Sequence, residues 1–256
     1  MKFLIIKRRM LLSIISLILC AVMLLLCLSF TGAHAVFYGQ TLRKLPIYCV
    51  DKSEKVVALS FDAAYGADRT EGIMKLLKEY DCQATFFLVG FWIENNTEMT
   101  KKISENGFEI GTHSNTHSHM SKLTYEQCEE DLKQSIAKIY NCTGVTPKLF
   151  RAPYGEYNNT LLEAAESLSL KTIQWDVDSL DWMDKTTTEI CDRVLGRVKE
   201  GSIILFHNNA EHVLDVLPIV LERLKMRGYK CVKLSDLIYF DNYTIDTKGE
   251  QHLVTN

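Results

Sequence analysis

Titratable side chains stand at the ends of several short apolar runs in the sequence. Asp62 follows Val-Val-Ala-Leu-Ser-Phe, and His207 follows Ser-Ile-Ile-Leu-Phe. His113 ends another apolar run, and His117 comes four residues later. Carboxylates and imidazoles act as general bases, general acids and metal ligands. These residues therefore indicate acid–base chemistry, with metal binding at the two histidines.

The spacing of His113 and His117 would suit a shared cation. If the chain turns helically after the strand, both imidazoles project from one face. The spacing alone is weak evidence, because most such pairs are surface or capping histidines. His119, two residues further on, should face solvent.

Two further strand ends carry polar residues. One is the sequence Arg151-Ala152-Pro153-Tyr154-Gly155, and the other is Asp178 with Asp181-Trp182 after it. Each has a plain structural explanation, such as an arginine that binds a neighbouring carboxylate or an aspartate in a turn. Their shared position favours one site, because the carboxyl ends of parallel strands meet at one edge.

The elements that must position these residues alternate along the chain. Short apolar runs alternate with stretches that have apolar residues at three- and four-residue spacing, a pattern typical of parallel β–α units. The apolar runs are residues 56–62, 84–90, 108–113, 149–154, 172–178, 202–207 and 230–234. No glycine-rich phosphate loop follows the first run, so the sequence predicts a distorted (β/α)7-type barrel of the α/β class rather than a dinucleotide-binding fold.

The N-terminus has the features of an export signal. Four basic residues precede an apolar run over residues 10–30, and Ala33-His34-Ala35 then resembles a cleavage site. The run nears the roughly 20 residues that span a bilayer, so a retained membrane anchor is the alternative. The predicted organisation is a signal peptide or transmembrane anchor over 1–35, a stalk over 36–54, a barrel domain over 55–240 and a loosely attached polar tail over 241–256. In either case the protein is exported, secreted or held by a single N-terminal helix.

Composition narrows the function classes. The chain has 29 basic and 32 acidic residues, and no segment is basic enough to predict nucleic-acid binding. Six cysteines lie beyond the N-terminal segment, namely Cys49, Cys82, Cys128, Cys142, Cys191 and Cys231. None forms a C-x-x-C pair; the six allow 15 disulfide pairings, and buried free thiols are the alternative. The sequence does not indicate an oligomeric state.

Over about residues 56–237 the sequence resembles carbohydrate esterase family 4, the NodB-homology polysaccharide deacetylases, of the sporulation and cell-wall type. Five motifs match in order: Ser60-Phe61-Asp62, His113-Ser114-Asn115-Thr116-His117, Arg151-Ala152-Pro153-Tyr154-Gly155, Asp178-Ser179-Leu180-Asp181-Trp182 and Leu205-Phe206-His207. The resemblance implies the NodB-homology barrel fold and removal of acetyl groups from an acetylated polysaccharide.

The resemblance also implies roles for individual residues. A divalent metal, zinc in the first place and cobalt or another ion as alternatives, would be held by His113 and His117. Asp62 would be the general base, kept anionic by Arg151. The backbone N–H of Tyr154 would stabilise the oxyanion.

The remaining motif residues have implied roles on the other side of the site. His207 would protonate the leaving amine, and Asp181 would pair with it and raise its pKa. Asp178 would support the same loop, while Trp182 and Leu205 would form an apolar wall against the acetyl methyl group.

The chain departs from the family at one position. The family usually has a second aspartate as a metal ligand where this sequence has Ala63. Asp68 is an alternative carboxylate, although its loop should direct it elsewhere. The departure leaves three functional hypotheses: deacetylation of a cell-envelope glycan, most readily the amino sugars of peptidoglycan; glycan binding by a catalytically impaired relative; and a structural role at the membrane through residues 1–35.

Overall fold

The computed structural model describes residues 8–30 and 43–254. The chain divides into two compact units, Met1–Arg43 and Lys44–Asn256. In the first unit a helix, α1, spans Arg8–Phe30. When only the residues with described side chains are counted, no helix is long and apolar enough to cross a membrane. The predicted cleavage site at residues 33–35 lies outside the described residues, so the choice between a cleaved signal and an anchor stays a prediction.

The second unit is built on a curled parallel sheet. Its first strand, β1, is Cys49–Val50 and belongs to a smaller sheet. The strands of the large sheet are β2 (Val56–Ala63), β3 (Ala84–Leu88), β4 (Glu109–Thr112), β5 (Leu149–Phe150), β6 (Lys171–Thr172), β7 (Val177–Asp178), β8 (Ile203–His207) and β9 (Lys230–Val232). Their order is β6-β5-β4-β3-β2-β8-β7, with β9 paired to β2, and every pairing is parallel. The predicted α/β barrel is thus confirmed as an open half-barrel.

Helices follow the strands as the sequence periodicity predicts. They are α2 (Thr70–Glu79), α3 (Gly90–Asn95), α4 (Thr97–Glu105), α5 (Tyr125–Thr143), α6 (Asn159–Ser167), α7 (Thr187–Arg197), α8 (Val213–Met226) and α9 (Leu234–Leu237). Helix α5 is capped at its N-terminus by Thr124, whose side chain and Gln127 form a capping box, and at its C-terminus by Gly144, which has a φ of 74°. These two signals fix the limits of the helix that packs behind the histidine loop.

Strand β2 is the centre of the molecule. It is buried along nearly its whole length, because a parallel strand inside such a sheet is covered on both faces. Phe61 stacks between Phe86 and Phe206, with ring centroids 5.0 and 5.8 Å away. This packing fixes the carboxyl end of β2, where Asp62 lies.

The structure differs from the predicted limits at both ends of the domain. The predicted stalk already contains buried residues, since Ile47 is 2% exposed and bridges Ile173. In the predicted tail, β10 (Tyr243–Ile245) and β11 (Glu250–Leu253) form a three-stranded sheet with β1. Gln251 is fully buried and bonds both backbone groups of Tyr239, so this polar segment is held in place.

One predicted strand is also divided. The apolar run over 172–178 forms two short strands, β6 and β7, separated by residues 173–176. Gln174 and Asp176 interrupt the run, and both make hydrogen bonds to neighbouring elements. Local polar contacts therefore break a segment that reads as one strand.

Candidate active site

A cavity of about 590 Å³ opens at the carboxyl ends of the parallel strands. Its lining residues are Asp62, Ala64, Tyr65, His113, His117, Tyr154, Gly155, Trp175, Asp178, Trp182, Leu205, His207 and Asn209. The predicted strand-end residues therefore come together on one face, as expected for this class of fold.

Asp62 forms a buried ion pair at the base of this cavity. Its Oδ1 accepts a hydrogen bond from Nη1 of Arg151 at 2.9 Å, and both side chains are nearly inaccessible to solvent. Burial disfavours the carboxylate, but the charge and hydrogen bond of Arg151 together with the neighbouring imidazoles outweigh it, so the pKa of Asp62 lies below its usual value. Asp62 is thus ionised at neutral pH.

Arg151 is itself held from three sides. Its Nη2 donates to the carbonyl of Gln174 at 3.1 Å, and its guanidinium lies 4.2 Å from the ring centroid of Phe87. Trp175 contributes a second aromatic face at 5.4 Å. The planar guanidinium can donate hydrogen bonds and stack on the two aromatic rings at the same time, a combination that a lysine could not reproduce.

His113 is oriented by the backbone of Arg151. Its Nδ1 lies 2.8 Å from the carbonyl of Arg151, which makes Nδ1 the protonated nitrogen. Its Nε2 faces Oδ2 of Asp62 at 3.5 Å. Burial lowers the pKa of His113, so the ring is neutral and its Nε2 lone pair is available.

His117 reaches the same position through a tight loop rather than a helical turn. Ser114 and His117 have φ values of 70° and 53°, and the N–H of His117 donates to Oγ of Ser114 at 2.8 Å. The two imidazole centroids are 5.0 Å apart. Burial and the neighbouring His113 lower the pKa of His117 to about 4, so it too is neutral.

Asp131 on α5 fastens this loop, and the sequence patterns did not reveal it. Its Oδ1 accepts from the N–H of Asn115 and its Oδ2 from the hydroxyl of Thr116, both at 2.7 Å. Asp131 is 8% exposed, so the two bonds are shielded from water. The carboxylate of Asp131 thus holds the loop that carries His117.

His207 and Asp181 form the opposite wall. Nδ1 of His207 lies 2.8 Å from Oδ1 of Asp181, whose Oδ2 accepts the backbone N–H of His207 at 2.9 Å. Burial opposes the charged imidazolium, but the hydrogen bond and charge of Asp181 prevail and raise the pKa of His207. The predicted effect of Asp181 on His207 thus has the geometry it needs.

The remaining predicted residues surround this pair. The side chain of Asp178 accepts the N–H of Leu180 at 2.9 Å and so supports the turn that carries Asp181. Trp182 is 63% exposed at the rim, whereas Leu205 is buried in the wall. Tyr154 has a φ of 60°, and its hydroxyl lies 3.2 Å from Nδ1 of His117.

His119 lies beside the cavity, outside its lining. It is exposed as predicted, yet it stacks on Tyr154 with centroids 4.4 Å apart and pairs with Glu156 at 2.9 Å. It therefore supports the rim and does not join the pair of buried histidines.

The position of Ala63 limits what the site can bind. Ala63 is fully buried in the core cluster around Phe61 and is not among the cavity-lining residues. Asp68 is exposed and also absent from that lining. Among the described residues, the one group of three metal-capable side chains within 4.8 Å is Asp246, Glu250 and His252, far along the chain in the β10–β11 hairpin.

The donor set of the cavity nevertheless fits a divalent ion in part. Neutral imidazole is the form that binds metal, and a hydrogen bond to the distal nitrogen is the usual support for such a ligand. His113 has both properties, and His117 has a neutral ring whose Nδ1 lies 3.2 Å from the hydroxyl of Tyr154. Two nitrogen ligands are present where a structural zinc site has four protein ligands.

Aromatic residues that the motifs did not single out complete the rim. Tyr65 is 62% exposed and lies edge-on to His117 at 6.2 Å, and Trp175 lines the floor. The only sequence signal for Tyr65 was its place in the loop directly after Asp62. Exposed aromatic faces around a polar centre suit the apolar faces of a sugar.

Fold and site together combine a strand-end carboxylate, a carboxylate-paired histidine and two neighbouring histidines on one parallel half-barrel. The model of the polysaccharide deacetylase family matches residues 50–173. A peptidoglycan-N-acetylglucosamine deacetylase of Bacillus cereus is 30% identical over 196 residues, which cover 75% of this chain and 92% of that protein. The chain belongs to the polysaccharide deacetylase family, carbohydrate esterase family 4.

Two further relatives are an uncharacterized protein and a pseudoenzyme. The uncharacterized protein YlxY of Bacillus subtilis is 32% identical over 78% of this chain, which spans 62% of YlxY. The crystal structure of BA3943 from Bacillus anthracis, a pseudoenzyme of the same family, superposes with a TM-score of 0.73 at 27% identity over 82% of this chain and 73% of that one. A mutant of BA3943 with restored enzymatic activity gives the same TM-score at 29% identity over 80% of this chain and 72% of that one.

Proposed function

We propose that the protein is a metal-dependent hydrolase that removes N-acetyl groups from a cell-envelope polysaccharide, with the amino sugars of peptidoglycan as substrate. The observation that carries the proposal is the pairing of an anionic Asp62 with a His207 of raised pKa across one cavity. Two titratable groups with pKa values pushed apart are typical of a base and an acid. The Bacillus cereus relative named for this activity supports the substrate class.

Asp62 has the properties of the general base. It stays ionised because Arg151 neutralises its charge, and its Oδ2 faces the cavity beside His113. A water molecule held there would give its proton to Asp62 as it attacks the acetamide carbon. The N–H of Tyr154, in its left-handed conformation, would donate to the developing oxyanion.

His207 has the properties of the general acid. Its Nδ1 is bound to Asp181, so Nε2 carries the proton that faces the cavity when the ring is charged. The leaving amine must be protonated, because the tetrahedral intermediate would otherwise expel water instead. Leu205 would contact the acetyl methyl group, and Trp182 and Tyr65 would contact the sugar rings.

His113 and His117 would hold the metal, with zinc the leading candidate and cobalt or another divalent ion as alternatives. When bound, the ion would polarise the acetamide carbonyl as a Lewis acid. Solvent would complete its coordination, because Ala63 offers no ligand. The two histidines also define the side of the cavity from which the carbonyl must approach.

The proposed site of action is outside the cytoplasm. The basic start, apolar run and Ala33-His34-Ala35 sequence support export, with the protein either secreted or anchored in the membrane by its N-terminal helix. This location would place the cavity beside the cell-wall glycan.

Acetate release from purified peptidoglycan tests the activity. The full-length protein is assayed with zinc or cobalt in excess, beside His113→Ala and the control His212→Ala, a half-buried histidine outside the cavity lining. We expect His113→Ala to lose at least about 100-fold in rate and the control to match the wild type. Equal acetate release by all three proteins would rule out the metal-dependent mechanism.

The alternative function is glycan binding without catalysis. It is favoured by Ala63 and by the likeness to BA3943, which is a pseudoenzyme. It predicts that the wild type releases no acetate with excess metal, yet binds peptidoglycan fragments and loses this binding in Trp182→Ala. Acetate release that depends on Asp62 would exclude it.

A further inference from the structure

Two buried cysteines meet at the end of the barrel opposite the cavity. Cys82 lies in the turn between α2 and β3, and Cys231 is the middle residue of β9. They are 8% and 7% exposed, and both are free thiols in the structure. They come from distant parts of the chain, so their meeting is a product of the fold.

The backbone holds these two residues side by side. The N–H of Gln83 donates to the carbonyl of Cys231 at 3.1 Å, which makes the two segments adjacent. The N–H of Cys82 is bonded to Leu77 at 2.8 Å, and Cys231 pairs in register with Val57 of β2. The side chains of Cys82 and Cys231 are close enough to interact, and Sγ of Cys82 also lies 3.6 Å from the carbonyl oxygen of Tyr80.

The interaction between the two thiols shifts their pKa values in opposite directions. The hydrogen bond from Cys231 lowers the pKa of Cys82, whereas the same bond and burial raise the pKa of Cys231. The Cys82 thiolate is therefore the better populated nucleophile. Exposed residues flank it on both sides, Asp81 with a φ of 55° and Gln83, so the turn offers access from solvent.

We propose that Cys82 and Cys231 are a redox pair that closes to an intramolecular disulfide. The Cys82 thiolate attacks one sulfur of a disulfide oxidant, such as glutathione disulfide or an oxidised thiol oxidoreductase, and one oxidant thiolate leaves. Cys231 then loses its proton and attacks Cys82 Sγ of the mixed disulfide, and the second thiolate leaves. Two protein thiols are oxidised to one disulfide, and the oxidant disulfide is reduced to two thiols.

The Cys82–Cys231 disulfide would covalently link two segments of the sheet. The bond joins residues roughly 150 positions apart, so it would restrict the unfolded chain strongly. It would link the start of β3 to β9, the strand that leads into α9 and the β10–β11 hairpin. An increase in melting temperature of about 5–15 °C is expected.

A peptide map of the oxidised protein tests the proposal. Reduced full-length protein is incubated with glutathione disulfide, its remaining thiols are blocked at low pH, and a non-reducing digest is examined by mass spectrometry. The expected product is one linked peptide pair that contains Cys82 and Cys231, together with the rise in melting temperature. If both residues are instead blocked as free thiols, or linked to other cysteines, the proposal is overturned.

Two variants make the test specific. Cys82→Ser should abolish both the linked peptide and the thermal shift. Cys191→Ser is the matched control, because Cys191 is also buried, its thiol contacts the carbonyl of Val216 and burial raises its pKa. The control should keep both effects, and loss of the linked peptide there would contradict the assigned pairing. Should Cys82→Ser fail to fold, the wild-type map still decides.

Discussion

At the scale of single residues, Asp62 and His207 in the cavity each contact a side chain of opposite charge. Arg151 lies against Asp62 and Asp181 lies against His207, so each titratable group has a partner of opposite charge. Asp62 is buried and His207 is half-buried, and loss of solvent alone would push each toward its neutral form. The neighbouring charges and hydrogen bonds reverse that tendency at both positions, so the pKa of Asp62 is lowered and the pKa of His207 is raised.

The His207–Asp181 pair should make stability depend on pH. Because the pKa of His207 is raised in the folded protein, the stabilisation is complete below the unfolded value of about 6.5 and is lost as pH rises through the folded value. The free energy of unfolding, measured by urea titration, should therefore exceed that of His207→Gln most at acidic pH. The two curves should converge as pH rises. A constant difference across the range would show that the imidazolium is not stabilised by Asp181.

The position of Ala63 makes a second residue-scale prediction. Ala63→Asp places a carboxylate at a fully buried position beside Asp62, so the variant should be less stable than the wild type in chelator. Zinc should restore stability and bind more than about tenfold tighter than in the wild type. Mutation of groups that only hydrogen-bond to a metal ligand already changes metal affinity by about this factor. Calorimetry with zinc measures both quantities.

The double variant His113→Ala/Ala63→Asp is the control for this prediction. It should lose the gain in zinc affinity, since the added carboxylate would act together with the imidazole. If the double variant keeps the gain, the new carboxylate binds zinc elsewhere.

At the scale of elements, the strand ends were predictable and the loops after them were not. Apolar runs show where β2, β4 and β8 end, and hence that Asp62, His113 and His207 share an edge. The left-handed φ values of Ser114, His117 and Tyr154 have no such signal, because none of these residues is glycine. They persist because tertiary contacts hold them, and those contacts cross between elements.

Helix α5 offers a test of whether contacts from another element hold the conformation of the histidine loop. Asp131→Ala removes both acceptors that hold Asn115 and Thr116, and it leaves a buried N–H unpaired. A loss of about 2–4 kcal/mol in unfolding free energy is expected, together with faster hydrogen exchange over residues 114–117. Lys133→Ala, an exposed neighbour on the same helix that pairs with Glu129, is the control and should change neither by much. Unchanged exchange in Asp131→Ala would mean that the loop is held by its own bonds.

At the scale of the whole molecule, periodicity predicted a parallel α/β barrel but neither its open form nor its limits. Strands of two residues, such as β5, β6 and β7, are too short to show a repeat, and their positions depend on their neighbours. The C-terminal segment is polar in sequence and therefore reads as a tail. This segment is ordered because the side-chain amide of Gln251 accepts a hydrogen bond from the backbone N–H of Tyr239 and donates one to its carbonyl.

The small sheet of β1, β10 and β11 should accordingly contribute to the stability of the entire domain. Gln251→Ala removes a donor and an acceptor from the backbone of Tyr239, so a loss of about 2–4 kcal/mol is expected. His252→Ala is the matched neighbour, half-buried and paired with Asp51, and should cost clearly less. Urea unfolding followed by tryptophan fluorescence measures both variants in one transition. Equal stability of the two variants would show that the C-terminal strands only cover the barrel, whereas the expected difference would make them part of the same folding unit as the cavity.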